Sequence, residues 1–536
     1  MTADPLTPAD KRLPRLLAAA AFLLLMFTQG SIGFTRDEGY YFTAASSYEE
    51  WLLQLLHEPL RAISAASTEH FWGVNWEHPP LAKLSFALSH LVLTRWLHLL
   101  PDAVAWRMPA ALFSGLLVYW LCQLGLLRSR TAGVLAPLLF FCAARPFFHG
   151  HLSCFDIPIC ALTVGCGLAW SRAIGVLPSD HKRPALWFAF LYGLALATKH
   201  NAWFLPPVLL VHALLLPAGL RRRALATLPW IFASPIVLFA LWPLLWHAPL
   251  HHLNEWIKFH LHHVHYAWWY LGDLLRAPPF PIVYPLALLA LTLPVTTVAL
   301  LAAAAITLLR DFLKRTLEPQ RLLELGLLGA GVLPFMTTDT PIFGGIKHWL
   351  VFVALLCPEA AQLVVTAALA ASESLSMASA RLAWLTPRRA LQLSCAAALL
   401  PGLVQIARVH PYGTSAYGEL AGDEPGAASL GMQRQYWSGN VTAVLPWINA
   451  HASRSGRVYL HEVNVESFRA YQQAGLLRPD LQYAWAPGQA EIAAIQWHRE
   501  FRDREPETWN AYGTRRPVTG LYLDETPQVV VYARER

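Results

Sequence analysis

A largely apolar run over residues 13–33 opens the chain, and runs of similar length recur as far as residue 409. A helix needs about 20 predominantly apolar residues to cross a bilayer core. Further runs fall at 107–127, 131–148, 157–174, 185–198, 200–217, 224–246, 282–309, 321–337, 349–369 and 390–409. With the first, they predict about eleven spans. Lys and Arg concentrate in alternate loops: Arg128 and Arg130, Lys182 and Arg183, Arg221 to Arg223, then Arg310, Lys314 and Arg315, and finally Arg381, Arg388 and Arg389. The positive-inside rule places these loops and the N-terminus in the cytoplasm. Residues 34–106, 149–156, 199, 247–281, 338–348 and 410–536 then face the other side. The first run follows Lys11, Arg12 and Arg15, is too long for a signal-peptide core and lacks a small-x-small exit, so it is expected to stay as a span. The location expected is a membrane crossed many times, with the N-terminus in the cytoplasm and the tail on the outer face.

Composition agrees. Apolar residues make up 55% of the chain and charged residues 14%, against roughly 25% charged in an average soluble domain. Mean hydropathy is +0.37. The net charge of +7 arises in the short loops and does not point to nucleic acid. All seven cysteines precede residue 396 and none forms a CxxC, so neither a disulfide framework in the tail nor a thiolate metal site is expected.

The first outer loop, 34–106, is aromatic and mixed. Tyr41, Ala45, Tyr48, Leu52 and Leu55 recur at helical spacing, as in a helix lying along a membrane surface. Residues 81–100 are apolar but carry Lys83, His90, Arg95 and His98, and are read as interfacial or half-inserted. Residues 410–536 change character. Helices are expected at 441–450 and 465–474, and strands at 457–461, 481–485, 491–497 and 529–532. The fold class expected is mostly α. A polytopic module over 1–409, with its motif loop at 34–106, is followed by a small soluble α/β domain over 410–536.

Polar residues gather at the outer ends of the runs. Asp37 and Glu38 follow the first; Arg145, His149, His151 and Asp156 bracket the loop before the fourth; Lys199 and His200 occupy a tight turn. His260, His262, His263 and His265 lie in the 247–281 loop, and Lys347 and His348 precede a late run. Ionisable residues at membrane depth are costly and are usually functional or paired. Cations with a few carboxylates suit transfer from a lipid-linked sugar phosphate. The cations offset charge on the departing phosphate, and a carboxylate takes the acceptor proton. Plainer readings stand beside these: Asp37 as a helix-end charge, Asp156 as an N-cap, and Lys83, Lys199 and Arg145 as side chains snorkelling to the headgroups. The histidines have metal-ligand chemistry, yet no carboxylate or cysteine accompanies them at a diagnostic spacing, so no metal is expected. Without a Gly-rich phosphate loop or an Asp-x-Asp motif, a nucleotide sugar is not the expected donor.

Two stretches carry a family resemblance: Phe34-Thr35-Arg36-Asp37-Glu38-Gly39-Tyr40-Tyr41 and Trp76-Glu77-His78-Pro79-Pro80-Leu81-Ala82-Lys83. They resemble the protein O-mannosyltransferases (glycosyltransferase family 39) and, more loosely, the lipid A aminoarabinose transferases. Both are GT-C membrane enzymes that draw a sugar from a polyprenyl-phosphate carrier. The resemblance implies Asp37 as catalytic base with Glu38 in support, and Asp156 as a second external acid. It implies Glu77, His78 and Lys83 in the donor site, and Arg107 at the opening of a span. Lys199, His263, Lys347, His348 and Arg145 would lie toward the donor or its phosphate. It implies no cofactor beyond the lipid-linked donor, and protein glycosylation of mannosyltransferase type with inversion. The repeat domain that eukaryotic members insert between late spans is absent here, which leaves protein, lipid and glycan acceptors open and favours undecaprenyl phosphate as the carrier. A transporter or flippase of lipid-linked sugars is the rival reading. It is disfavoured by the lack of an inverted repeat.

Overall fold

The computed structural model describes residues 8–378 and 384–534. Arg381, one of the loop cations above, lies outside them. Every expected apolar run is helical over all or part of its length. Among the described residues, six helices are long and apolar enough to cross a membrane: Asp10–Ser31, Asp102–Leu126, Ala218–Leu241, Val295–Leu313, Lys347–Leu375 and Pro387–Val409. The remaining expected spans fold as shorter or more polar helices: Arg130–Phe141 followed by Ala144–His149, Asp156–Ala173, Pro184–Leu196, Leu205–Leu215 and Pro319–Val332.

Two of the long helices form the centre. The apolar stretches of Asp102–Leu126 and Lys347–Leu375 are each 72% buried within the protein, against 17–22% for the other four. The Asp102–Leu126 helix packs against Pro8–Thr28, Arg130–Phe141 and Asp156–Ala173. At 1.5 Å per residue, it spans about 37 Å, enough to separate one end of the bundle from the other.

The expected run 282–309 is broken into Tyr284–Thr292 and Val295–Leu313. Pro294 has no N–H to continue the helical ladder, and the break is held from the side. Gly418 N donates to Leu291 O (2.8 Å) and Val295 N donates to a Glu419 carboxylate oxygen (2.8 Å). Residues distant in sequence thus satisfy the carbonyl and amide that the break exposes.

The loop 34–106 forms the helix Arg36–His57, two short turns of helix, and Leu81–His90. Leu81–His90 continues directly into a π-helical stretch, Leu91–Trp96, and the two together, at about 24 Å or less, fall short of the roughly 30 Å of a bilayer core. The loop 247–281 adds something the sequence reading lacks, a hairpin of β1 (Trp268–Tyr270) and β2 (Asp273–Leu275).

The tail builds a five-stranded sheet in the order β4-β3-β5-β7-β6, from β3 (Arg457–Leu460), β4 (Gln482–Tyr483), β5 (Ile492–Gln496), β6 (Thr519–Leu523) and β7 (Thr526–Ala533). β4, β3 and β5 run parallel; β7 pairs antiparallel with both β5 and β6. β6 and the helix Arg504–Tyr512 were not expected. The β6–β7 turn is made by Asp524 and Glu525, both at positive φ (43° and 64°). That backbone suits a two-residue hairpin, but it is usually signalled by Asn-Gly or Asp-Gly.

Candidate active site

The segment Thr35-Arg36-Asp37-Glu38 is a capping box, Thr-x-x-Glu. The Thr35 hydroxyl accepts from Glu38 N (3.4 Å), and the Glu38 carboxylate accepts from Thr35 N (3.0 Å). The helix therefore starts at Arg36, and Asp37 stands in its first turn, where the helix dipole favours a negative charge. Glu38 faces inward and is fully buried. Arg107 Nε and Nη2 each donate to it at 2.8 Å, and Ser153 N donates at 3.1 Å. The same guanidinium holds the carbonyls of Ile32 (2.7 Å) and Gly33 (2.8 Å). Glu38 thus does not reach the cavity described next. Its oxygens are occupied in tying the first span, the motif helix and the Asp102–Leu126 helix together, so it is a positioning residue rather than a catalytic one. Removing one partner of such a buried pair costs about 3–5 kcal/mol.

Asp37 lines a cavity of about 400 Å³ at the end of the bundle. Glu77, His78, Asp156, Lys199, His263, Lys347 and His348 line the same cavity, so eight of the eleven expected site residues meet there. Two carboxylate–lysine pairs face each other. Asp156 and Lys199 are in contact at 2.7 Å, while Asp37 and Lys347 stand 3.8 Å apart. The Lys347 ammonium lies over the Trp437 ring at 4.4 Å, a favourable cation–π geometry. Glu77 is braced by Asn75 Nδ2 (2.6 Å).

Imidazoles supply most of the remaining polar lining. His260 Nε2 donates to Glu77 O (3.0 Å) and packs against His200 at 4.1 Å between ring centres. Burial lowers His260 to about 4, and pushes His78 well below and His263 below the usual imidazole range. These rings are therefore neutral hydrogen-bonding groups at pH 7, and the positive charge in the lining comes from Arg36, Lys199 and Lys347. His78 Nδ1, His200 Nδ1, His260 Nδ1 and both ring nitrogens of His348 are buried without a partner within the protein. Such groups are costly unless something polar meets them. His262 and His265 do not line the cavity. No group of three His, Cys, Asp or Glu residues among the described ones is arranged to hold a metal ion.

Two expected phosphate-binding cations point elsewhere. Lys83 is fully buried; its ammonium donates to Asn75 O (2.5 Å) and His78 O (2.9 Å), and burial lowers it to about 7 against the pull of Glu77. It fastens the turn that carries Glu77 and His78 and does not touch the cavity. Arg145 Nε donates to Ala416 O (2.9 Å), and its guanidinium lies over Tyr417 at 4.9 Å. It anchors the start of the tail to the bundle. A side chain at an outer helix end can turn into the cavity or into the neighbouring loop, and for these two the loop carbonyls are closer.

The tail grips the motif from the opposite side. Tyr471 OH donates to Phe34 O (2.8 Å), Ser467 Oγ to Thr35 O (2.9 Å) and Asn464 Nδ2 to Arg36 O (3.0 Å). Arg36 N donates to Trp437 O (2.9 Å), and its guanidinium pairs with Glu462 at 2.7 Å. A Cβ at Gly39 would overlap Ser467, so glycine lets the tail helix Val465–Gln473 lie directly on the motif helix. Arg36, Tyr40, Asn75, Tyr266, Phe343 and Trp437 also line the cavity and were not singled out from the sequence. Only the position of Arg36 and Tyr40 beside Asp37 could have pointed to them.

No protein-family model and no curated protein matches the chain. Among solved structures, the apo form of ArnT from Cupriavidus metallidurans is 16% identical, covers 97% of both chains and superposes with a TM-score of 0.51. The same protein bound to undecaprenyl phosphate aligns over 97% of both chains with 16% identity and a TM-score of 0.48. Oligosaccharyltransferase AglB from Archaeoglobus fulgidus, in complex with an inhibitory peptide and a dolichol-phosphate, gives 11% identity and a TM-score of 0.48 over 90% of this chain and 66% of that one. ArnT and AglB are GT-C glycosyltransferases, and this chain has a mostly helical fold of the GT-C type with a small sheet domain.

Proposed function

We propose that this protein is an integral-membrane glycosyltransferase that moves a sugar from a polyprenyl-phosphate carrier to an acceptor hydroxyl on the periplasmic face of the inner membrane. The observation that carries the reading is one buried carboxylate–lysine pair, Asp156 with Lys199, and one half-buried pair, Asp37 with Lys347, around one open cavity. A displacement at an anomeric carbon needs both signs of charge there. Asp37, held 3.8 Å from Lys347 rather than in direct contact, keeps lone pairs available for an acceptor O–H.

In the proposed step the acceptor proton passes to the Asp37 carboxylate as the acceptor oxygen attacks the anomeric carbon. The bond from that carbon to the phosphate oxygen breaks, and polyprenyl phosphate leaves with the electron pair. Lys347 and Lys199 face the charge that gathers on the leaving oxygen, where preorganised cations act most strongly. Asp156, in contact with Lys199 at 2.7 Å, orients it. A single displacement inverts the anomeric centre. Neutral His78, His260 and His263 suit hydroxyl groups of the sugar.

An apolar groove of about 660 Å³ adjoins the cavity. It is lined by Phe204, Val208, Leu333, Pro334 and Phe352, and the turn Leu333–Phe335 contributes to both spaces. Phosphate among lysines with a long hydrocarbon chain beside it is the amphiphile this pair of spaces fits. Sugar and acceptor are open at this level, and the mannosyl expectation rests on the sequence resemblance alone.

The test is release of polyprenyl phosphate by the purified protein, from mannose, glucose and aminoarabinose donors with an envelope extract as acceptor. Asp37→Asn should lower release by about 10²–10⁴-fold, the range that general-base catalysis contributes. Full release by the variant would remove Asp37 as base. Translocation of intact donor without release would replace the transferase reading by a flippase.

A further inference from the structure

The cavity does not end at Asp37. Arg36, Tyr266, Phe343 and Trp437 also line a neck of about 210 Å³, and Arg36 and Tyr40 line a crevice of about 610 Å³ beyond it. The crevice lies in the tail. Its walls are the segments that follow β3 (Leu460 to Glu466), β4 (Tyr483, Trp485) and β5 (Glu500 to Arg504). These are the carboxyl ends of three adjacent parallel strands, where open α/β sheets bind ligands.

We infer that this crevice holds the acceptor of the proposed transfer, and that the acceptor is an uncharged saccharide whose hydroxyl reaches Asp37 past Arg36 and Tyr40. The inference rests on the transferase reading of the cavity and adds the acceptor class to it. A sugar ring presents apolar C–H faces and a rim of hydroxyls. The crevice offers flat aromatic surfaces that remain in contact with water: Trp485 is 73% exposed and Tyr40 46% exposed. Arg276 and Glu466 add polar groups to the lining, while Asn464 and Glu462 are already held by Arg36. His461 is 4% exposed, lines the crevice, and has a ring nitrogen with no partner within the protein. Such an arrangement, aromatic walls with a few placed polar groups, is the general form of a small-molecule site.

Charge separates the saccharide from a phosphorylated lipid headgroup. Three arginines line the crevice against four carboxylates, Glu462, Glu466, Glu500 and Asp503. A phosphate would meet as much repulsion as attraction there. Topology separates it from a peptide. Extended peptides add to a sheet edge, but the edge strand beside the crevice, β4, has two residues, and the crevice opens at strand ends rather than along an edge.

The experiment is saturation-transfer NMR on the full-length protein in nanodiscs, with neutral tetrasaccharides of glucose, mannose, galactose and N-acetylglucosamine as probes. At least one should be saturated by the wild type, with affinity lowered at least tenfold in Trp485→Ala and unchanged in Tyr522→Ala, which removes another exposed aromatic side chain, one on β6 outside the crevice. Lack of saturation for every probe, or equal saturation with Trp485→Ala, would overturn the inference. So would binding of a threonine-rich peptide or a phosphorylated glucosamine disaccharide lipid in place of the saccharides. Polyprenyl phosphate release from the same wild-type preparation separates the two readings. Release without saccharide binding removes the acceptor crevice alone; saccharide binding without release leaves a saccharide site but removes the transferase reading and, with it, the acceptor role.

Discussion

Arg128 and Lys347 are buried to the same degree, each with 9% of its side chain exposed, yet they sit in ionic clusters of different design at opposite ends of the bundle. Arg128 lies between Glu324 and Glu359, with its third nitrogen on Leu124 O (3.0 Å). Arg321 extends the network from Glu359 (2.9 Å) to Asp311 (3.1 Å), and Gln320 donates to Glu324 (3.1 Å). The carboxylates there are all in contact with arginine, linking the end of the Asp102–Leu126 helix to the Pro319–Val332 and Leu350–Ala378 helices, although Arg321 Nε and Gln320 Oε1 have no partner within the protein. At the other end the charges surround an open space. One pair is close, the Asp37–Lys347 pair is not, and imidazole nitrogens beside them have no partner within the protein. Burial of charge, which is all the sequence rule on intramembrane ionisable residues detects, does not distinguish architecture from chemistry. Whether the charges close on one another or stand around an open space does.

The largest difference should follow from neutralising each cluster as a unit. Asp156→Leu with Lys199→Met should lower polyprenyl phosphate release by at least about 10²-fold, the scale of losing one preorganised group at a developing charge. Arg128→Met with Glu324→Gln and Glu359→Gln should leave release within about threefold, since replacing a whole buried ionic group by neutral residues is often tolerated. Comparable losses in the two variants would erase the distinction drawn between the clusters.

Single substitutions should reverse the ranking when stability is measured instead. Arg128→Met leaves two buried carboxylates facing each other and should cost about 3–5 kcal/mol. Lys347→Met gives up a 3.8 Å contact to a carboxylate with 19% of its side chain exposed, a geometry worth about 1 kcal/mol or less. Thermal unfolding in detergent reads both, and a larger fall for Lys347→Met would contradict the assignment of Arg128 to architecture.

The smallest effect concerns a third ionic group, in the first outer loop. His90 lies between Glu49 (2.6 Å) and Asp102 (3.2 Å), stacked on Trp106, and Arg95 also contacts Glu49 (2.8 Å). The carboxylates hold His90 above its ordinary 6.5 despite burial, and His90 and Arg95 hold Glu49 below its ordinary 4.5 despite burial. The His90 contribution is therefore complete below 6.5 and fades as pH rises through its folded value. The Glu49 contribution is complete above 4.5 and fades as pH falls through its lower folded value. The unfolding temperature should be highest between these limits and decline by a few degrees on the alkaline side. His90→Phe should flatten that alkaline decline.

Much of the fold was legible because its signals are local. Apolar runs of bilayer length read as helices wherever they occur, and their succession predicts that alternate ends share a face. That is why residues as far apart as Asp37, Asp156, Lys199 and Lys347 could be named together and do line one cavity. The Thr35-x-x-Glu38 pattern also announces a helix start. The break at Pro294 was not foreseen, because a proline in an apolar run reads equally well as a kink. Only the Gly418 and Glu419 contacts make it a true interruption. β6 was not foreseen because its turn lacks the glycine that usually marks a hairpin.

The sequence by itself determined where helices run, roughly where they end, and that acids and bases gather at one set of those ends. These properties depend on residue type and spacing within a few turns. Tertiary structure decided which of two adjacent acids faces the cavity. Capping geometry and Arg107 turn Glu38 inward and leave Asp37 out. It also decided that Lys83 and Arg145 serve nearby carbonyls, and that a helix more than 400 residues further on holds the carbonyls of Phe34 and Thr35. The direction of a long polar side chain is set by the nearest unmet hydrogen-bonding group, and in a folded chain that group can come from any position in the sequence.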